Sequence, residues 1–106
     1  MAAFKLTLVS PHGKAFEGDC ESLVSPGYGG DFGVLAGHAP MIAMLKRGIT
    51  KLTAGSETTF FVTGEGVCEV TKESVNVLVD TALKAANLDD AKKALANHLA
   101  IVGAKH

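Results

Sequence analysis

Apolar and polar residues alternate along most of the first 80 positions of the chain. The segment FKLTLV, residues 4–9, has apolar residues at its first, third and fifth positions and polar residues at the second and fourth. A repeat of two residues is typical of a β-strand that buries one face. The segment therefore predicts an opening strand, which ends at the turn SPHG, residues 10–13.

Short runs rich in β-branched and apolar residues follow, and most are closed by a glycine or a polar turn. Roughly eight to ten such runs, with no helical segment between them, favour an antiparallel β-sandwich or barrel over a parallel α/β sheet. We therefore predict a mainly β fold. The runs after the opening strand are KAFEG (14–18), CESLVS (20–25), MIAMLKRG (41–48), ITKLT (49–53), TTFFV (58–62), VCEVT (67–71) and VNVLV (75–79).

The pattern changes at Asn87, a predicted helix N-cap. Asp89 and Asp90 suit the positive end of a helix dipole, and Gly103 is a stop signal, so we predict one helix over about 88–102. A helix of about fifteen residues is marginal alone in water, so its apolar stripe must pack on another surface. We expect it to fold against the C-terminal strands of the sandwich or to pair with a neighbouring copy. The stripe comprises Leu88, Ala91, Leu95, Leu99 and Val102.

Length and composition limit the chain to one modest core, since it has 106 residues of which 47% are hydrophobic. We predict a β-sandwich domain over residues 1–82 and a partial helical domain over 83–106. The net charge of −1 and the absence of a basic run argue against nucleic acid as a partner. No stretch reaches the roughly eighteen apolar residues of a membrane span. We expect a soluble cytoplasmic protein with Cys20 and Cys68 reduced and buried.

Residues 27–42, GYGGDFGVLAGHAPMI, are unusually rich in glycine. A dinucleotide fingerprint fails here because its last small position is Phe32, and Gly37 and Pro40 prevent a helix whose N-terminus could face an anion. A catalytic interpretation would use His38, but no nucleophile motif or metal-ligand spacing accompanies it. We favour His38 as a turn residue that is hydrogen-bonded to nearby backbone.

The apolar residues between these glycines argue against an idle solvent loop. The segment therefore either covers its own core or presents itself to a partner. The residues alone leave a β-sandwich of unknown binding function.

The segment GDFGVLAGHAPMIAMLKRG, residues 30–48, resembles the Gly-His-Ala-Pro signature of the epsilon subunit of F-type (rotary) ATP synthases. The opening FKLTLVSPHGKAFEGDCESLVSPG, residues 4–27, is similar to the first strands of that family. VNVLVDTALKAANLDDAKKA, residues 75–94, is similar to its passage from the last strand into a C-terminal helix. The resemblance covers nearly all of the chain.

This resemblance implies a flattened sandwich of about ten strands in two sheets, followed by helical structure, with no catalysis and no cofactor. It implies a central-stalk (rotor) subunit that couples rotation of the gamma subunit and the c-ring to ATP synthesis. Such a subunit would lie at the cytoplasmic face of the inner (plasma) membrane and associate with the membrane only through the complex.

Site residues carry over by position within the signature. Asp31 occupies an acidic position, where a carboxylate can pair with a basic group on a ring loop. The implied c-ring contact comprises Tyr28, Gly29, Gly30, Asp31 and Phe32. The implied gamma-subunit contact comprises Gly37, His38, Ala39, Pro40 and Met41.

Two departures from the family limit what carries over. Members commonly have a second C-terminal helix that restrains ATP hydrolysis, whereas this sequence ends at His106 after one helix, so we do not expect that inhibition. ATP-binding members resemble [IL]-D-x-x-R-A, and residues 88–93 are LDDAKK. Because lysine lacks the planar fork of arginine, we expect no ATP binding at physiological concentrations, which titration calorimetry can check.

The residues alone leave two other classes of function possible. A separate β-sandwich module that binds peptide or carbohydrate would favour exposed aromatic side chains, and the chain has one Tyr and five Phe. A small hydrolase that uses His38 would lose its activity in a His38→Ala variant.

Overall fold

The computed structural model describes residues 3–104, and the side chains of residues 3–97. Alternating burial in most strands, such as β1, places one face on the core and one toward solvent. The order of elements is ten strands and then one helix. They are β1 (Phe4–Ser10), β2 (Gly13–Cys20), β3 (Ser22–Gly27), β4 (Gly30–Leu35), β5 (Met41–Leu45), β6 (Gly48–Ala54), β7 (Glu57–Thr63), β8 (Gly66–Val70), β9 (Ser74–Val79), β10 (Ala82–Ala85) and α1 (Leu88–Ala104).

The strands form one hydrogen-bonded sheet, rather than the two sheets that the resemblance implies, with the order β10-β7-β6-β3-β5-β8-β9-β1-β2. Strand β4 lies off this path and pairs with β3. The sheet bends between β3 and β5, which share only the pair Gly27 and Leu45. Its two halves face each other, since β2 contacts β6 and both β1 and β2 contact β10 without strand pairing. Every pair is antiparallel except β1 with β9, which is parallel. The predicted mainly β sandwich of about ten strands with a C-terminal helix is confirmed.

Three local features differ from the prediction. No strand was predicted within the glycine-rich segment, but it contains strand β4, whose Phe32 and Val34 face the core. The predicted strand 41–48 ends at Leu45, because Lys46 and Arg47 form the turn into β6. A tenth strand, β10, follows the last predicted one and pairs with β7.

The core lies between the two halves of the sheet and is built from aliphatic side chains and a few phenylalanines. Leu6, Leu8 and Leu23 are fully buried, and Phe61 is the largest fully buried side chain among those described. Phe16, Phe32, Met41 and Ala43 are partly buried and pack against this cluster. Dense packing of this kind makes a body that deforms little under load.

Three hydroxyl groups cross the buried side of β3, β6 and β7. Thr50 Oγ1 lies 2.9 Å from Ser25 Oγ and 2.8 Å from Thr63 Oγ1, and all three side chains are fully buried. Each hydroxyl therefore finds its partner within the chain rather than in water.

Replacing Thr50 with valine is expected to lower the free energy of unfolding by about 2 kcal/mol, because it leaves two buried hydroxyls without their central partner. The combined variant Ser25→Ala, Thr50→Val, Thr63→Val should lose less than the single variant, since it removes the unpaired groups together. Urea denaturation of the isolated chain measures both. A single variant as stable as the parent would contradict this account.

The helix α1 begins at Leu88, the predicted residue, and packs on β7, β10 and β6. It runs to Ala104, so Gly103 is not the stop that the sequence predicted. Asn87 caps it, because its Oδ1 accepts a hydrogen bond from the Asp90 amide at 2.8 Å. Ala91 and Val62 are buried outside the main core cluster, so they belong to a second apolar layer between helix and sheet. The prediction that the helix folds against the C-terminal strands is confirmed. The side chains of Leu99 and Val102 lie outside the described residues.

The domain division at residue 82 stays a prediction.

No helix within residues 3–104 combines the length and the apolar character needed to cross a bilayer.

Candidate functional site

Five turns gather at one end of the sandwich, which we call the rim. Hydrogen bonds join neighbouring turns: the Gly64 amide donates to the Thr81 carbonyl, and the Tyr28 hydroxyl donates to the Glu65 carboxylate. The Lys46 amide donates to the carbonyl of Pro26, near the end of β3. A surface cleft of about 390 Å³ joins the turn after β1 to the turns after β7 and β9. The rim turns are Pro11–His12, Tyr28–Gly29, Lys46–Arg47, Gly64–Glu65 and Asp80–Thr81.

Tyr28 and Gly29 of the predicted c-ring contact lie on this rim, and Gly30 and Asp31 follow them at the start of β4. Tyr28 and Gly29 form the tight turn between β3 and β4, and Gly27 pairs with Gly30 across it. Gly30 has a φ of +119°, a backbone conformation that L side chains rarely adopt, so the turn requires glycine there. All four residues are exposed, and the Tyr28 side chain is 61% exposed.

Phe32, the fifth residue of this set, has a different role. Its side chain is partly buried and packs against the core, and its ring lies close to the Gly27 backbone. Replacing Phe32 would therefore disturb the sandwich itself. Asp31, on the outward face of β4, is the cleaner probe of a partner contact.

Tyr28 is tied to a distant turn by its phenol group. Its Oη donates a hydrogen bond of 2.8 Å to Oε2 of Glu65, in the turn between β7 and β8. The hydrogen bond to this carboxylate, followed by the effect of its charge, raises the pKa of Tyr28 above the ordinary value of 10.0.

The predicted gamma-subunit contact lies at the opposite end of β4. Residues 36–40 connect β4 to β5, and Leu35, at the far end of β4, pairs with Ser22. The six residues of β4 separate this connection from the rim by roughly 17 Å at about 3.3 Å per residue. Gly37, Ala39 and Pro40 are exposed, and Met41 is half-buried. The structure therefore divides the ten predicted contact residues between two ends of the molecule.

His38 is a turn residue, as predicted. Its amide donates to the Leu35 carbonyl at 3.1 Å, and its Nδ1 lies 2.8 Å from the carbonyl oxygen of Ala39. The ring is thus engaged by nearby backbone instead of a nucleophile or a carboxylate. This geometry does not assemble a base and nucleophile.

Neither cysteine is placed for chemistry. Both are free and fully buried, which confirms the prediction. Burial raises the pKa of the Cys68 thiol to about 11, and burial also raises the pKa of Cys20 despite hydrogen bonds to backbone carbonyls. Within the described part of the chain, no group of three His, Cys, Asp or Glu side chains could hold a metal ion.

Sequence reasoning missed an exposed apolar surface on the outer side of β5, β8, β9 and β1, which we call the outer face. Ile42 is 71% exposed, Met44 is 58% exposed and Leu78 is 48% exposed. The strand register places Met44 beside Val67, Val67 beside Leu78, and Leu78 beside Val9. A strand with only one buried face should alternate, so the unbroken apolar run of residues 41–45 carried this signal.

A family model described as "ATP synthase, Delta/Epsilon chain, beta-sandwich domain" matches residues 3–85. The chain belongs to this family. The resemblance noted from the signature segment is thereby confirmed at the level of the family.

Curated relatives carry the name "ATP synthase epsilon chain". One from Rhodopseudomonas palustris (strain BisB5) is 45% identical over 89 residues, which are 84% of this chain and 66% of the relative. One from strain BisB18 is 44% identical over 92 residues, 87% of this chain and 68% of the relative. One from Afipia carboxidovorans is 44% identical over 91 residues, 86% of this chain and 67% of the relative. The matched residues thus span about two thirds of the length of these relatives.

Solved structures share the fold. A chain of the Euglena gracilis mitochondrial ATP synthase (OSCP/F1/c-ring, rotational state 1) superposes with a TM-score of 0.79 at 24% identity, covering 99% of this chain and 66% of that chain. A chain of the Tetrahymena thermophila mitochondrial ATP synthase central stalk and c-ring has a TM-score of 0.66 at 11% identity, covering 76% of this chain and 65% of that chain. At these identities the similarity concerns the fold.

Proposed function

We propose that this chain is the epsilon subunit of the central stalk of an F-type ATP synthase, and that it couples rotation of the gamma subunit and the c-ring to ATP synthesis. The family match over residues 3–85 carries the proposal. The names of the relatives support it, since those from Rhodopseudomonas palustris and Afipia carboxidovorans are ATP synthase epsilon chains.

The rim is the proposed contact with the c-ring. A rotor contact needs a surface that reaches a neighbour closely, and the Tyr28–Gly30 turn is exposed and carries little side-chain bulk. The exposed Asp31 carboxylate supplies a charge that pairs with a basic group on a ring loop.

The proposed contact with the gamma subunit begins at residues 37–41 and extends onto the outer face. Met41 starts β5, and Ile42 and Met44 on the same strand are highly exposed. A contiguous apolar surface of this kind is typical of a protein interface. Its continuity with the signature loop favours the gamma subunit as the occupant.

Mechanical coupling follows from the position of these two contacts. The rim and the loop of residues 36–40 lie at opposite ends of one strand pair, β3 and β4, whose inner faces join the packed core. Force applied at one end is carried to the other by hydrogen-bonded strands and close-packed side chains, which yield little. We infer a non-catalytic subunit, in agreement with the backbone-engaged His38 and the buried cysteines.

The location follows from these partners. We infer that the subunit lies at the cytoplasmic face of the inner (plasma) membrane and is held there by the complex. The ATP site of some family members is not expected in this chain, because Lys92 stands where those members have arginine and Lys93 where they have alanine.

Affinity capture from the source cells tests the proposal. A tagged full chain should copurify with the gamma and c subunits, and adding it to a synthase depleted of its own epsilon subunit should restore ATP-driven proton pumping. Capture without any synthase subunit, together with no gain in pumping, would overturn the assignment.

The family match favours this function over a separate module that binds peptide or carbohydrate. Among the described side chains, Tyr28 is the single aromatic residue with high exposure, and its phenol is engaged by Glu65. An aromatic binding face is therefore not formed by these residues.

A further inference from the structure

The hydrogen bond between Tyr28 and Glu65 joins two turns that are 37 residues apart in the chain. Both side chains are exposed, so this contact does not contribute to the core. It instead fixes where the tip of the β3–β4 hairpin lies on the rim. We call this contact the latch.

The Glu65 side of the latch is held by backbone. The Gly64 amide donates to the Thr81 carbonyl at 2.9 Å, and the Asp80 amide donates to the Glu65 carbonyl at 2.9 Å. The β7–β8 turn is therefore tied on both sides of its tip to the β9–β10 turn. The backbone that carries the Glu65 carboxylate is thus held in place.

The turn that carries Tyr28 has an intrinsically flexible backbone. Gly29 and Gly30 follow Tyr28, and no heavy atom lies within 4 Å of where a Cβ would stand on either glycine. Glycine has more backbone freedom than any other residue, so this turn loses order easily. The Tyr28 amide reaches the Met44 carbonyl at 3.3 Å, a long bond, and Tyr28 supplies the only side chain beyond Cα at the tip.

We propose that Glu65 is a positioning residue for the rim, which holds Tyr28 and thereby fixes the Tyr28–Gly30 turn in the conformation that meets the partner. The proposal rests on the function assigned above, because the partner is the c-ring loop surface. Glu65 acts through Tyr28 and need not touch the ring.

A turn that is already ordered in the free subunit binds its partner more tightly, because it loses less conformational entropy on association. A latch of one charge-assisted hydrogen bond, at an exposed site, should change the affinity of the rim by about threefold to tenfold. The same bond should slow hydrogen exchange of the Gly29 and Gly30 amides by a similar factor.

The latch itself can be measured on the isolated full chain. Tyr28 is the only tyrosine and there is no tryptophan, so an ultraviolet pH titration reports this phenol alone. The parent should titrate above 10.0, and Glu65→Ala should return the pKa toward that value and speed exchange at Gly29 and Gly30. Glu57→Ala, an exposed glutamate at the opposite end of β7, is the matched control and should leave both readouts unchanged. A Glu65→Ala variant with the parent titration and exchange would overturn the latch.

The role in positioning is measured by binding of the same variants to purified c-ring. Tyr28→Phe and Glu65→Ala should each weaken binding about threefold to tenfold, and the double variant should lose no more than either single variant, because both remove one contact. Glu65→Gln, which keeps an acceptor oxygen, should recover part of the loss. Additive losses would show that Glu65 acts apart from Tyr28 and would overturn the proposal.

The two proposals fail in distinguishable ways. If the parent chain does not bind the c-ring at all, the assigned function is wrong, while the titration still reports on the latch. If the parent binds and the Glu65→Ala variant loses the latch but binds equally well, the function stands and the positioning role is wrong.

Discussion

Replacing Gly66 with alanine is expected to lower the free energy of unfolding by about 3 kcal/mol, the largest loss expected from an alanine at any of the glycines whose surroundings the structure describes. Gly66 starts β8, where it pairs with Val79 of β9 and with Leu45 of β5. A Cβ at Gly66 would lie 2.7 Å from the Val79 Cα and 2.8 Å from the Leu78 carbonyl carbon, and it would overlap the Leu78 carbonyl oxygen. These are backbone atoms of a central strand, so relief requires separation of β8 from β9.

Gly29→Ala is the matched control for this prediction. Gly29 is exposed and nothing lies within 4 Å of its Cβ position, so the same methyl group should change stability by less than about 0.5 kcal/mol. Gly64→Ala should fall between the two, because the atoms in its way belong to the Asp80 side chain, which can rotate. Urea denaturation of the three variants measures the order of their free energies of unfolding. Equal stability of the Gly66 and Gly29 variants would contradict the packing argument.

The parts of the fold that the sequence predicted are those set by short-range physics. Alternation of apolar and polar residues identifies β1, β6 and β9, since the period of a strand is two residues. Asn87 identifies the start of α1 because an N-cap acts on amides two or three residues ahead. Signals of this range are readable from a single sequence.

Strand β4 was missed for a physical reason. Of the three outward positions, Gly33 has no side chain and Leu35 is apolar, so only Asp31 keeps the polar half of the alternating pattern, although Phe32 and Val34 keep the apolar half. With a single outward polar residue, the segment lacks the alternation by which a strand is recognised. The parallel pairing of β1 with β9 was also beyond local patterns, because it joins segments about 70 residues apart.

The candidate site, like the fold, could be predicted only in part from the sequence. The resemblance of the signature segment identified the exposed turn and the His38 loop, but only the folded chain sets them at opposite ends of β4. The latch could not be predicted, because Tyr28 and Glu65 meet through strand pairing that brings distant turns together. The outer face was readable in part from the unbroken apolar run of β5.

A combined Ile42→Lys and Met44→Glu variant is expected to weaken binding to the gamma subunit by about 100-fold or more, with little change in the fold. Both side chains are largely exposed in the isolated chain, so their replacement removes little buried area there. In the complex, each change would replace buried apolar surface by a charge without a matched partner, and two such losses of roughly 1.5–2 kcal/mol each give this factor. The pair leaves the net charge unchanged, so a change in long-range steering does not account for the effect.

The lysine would stand opposite Glu69 on β8, a favourable cross-strand pair that helps to keep β5 in place. The matched control carries the same two changes at Leu83→Lys and Leu88→Glu, on β10 and the first turn of α1, where both leucines are also exposed and no partner is proposed. Calorimetric titration of purified gamma subunit into each chain, with thermal unfolding beside it, separates loss of contact from loss of fold. Unchanged affinity in the Ile42 and Met44 variant would remove the outer face from the gamma contact and confine that contact to residues 37–41.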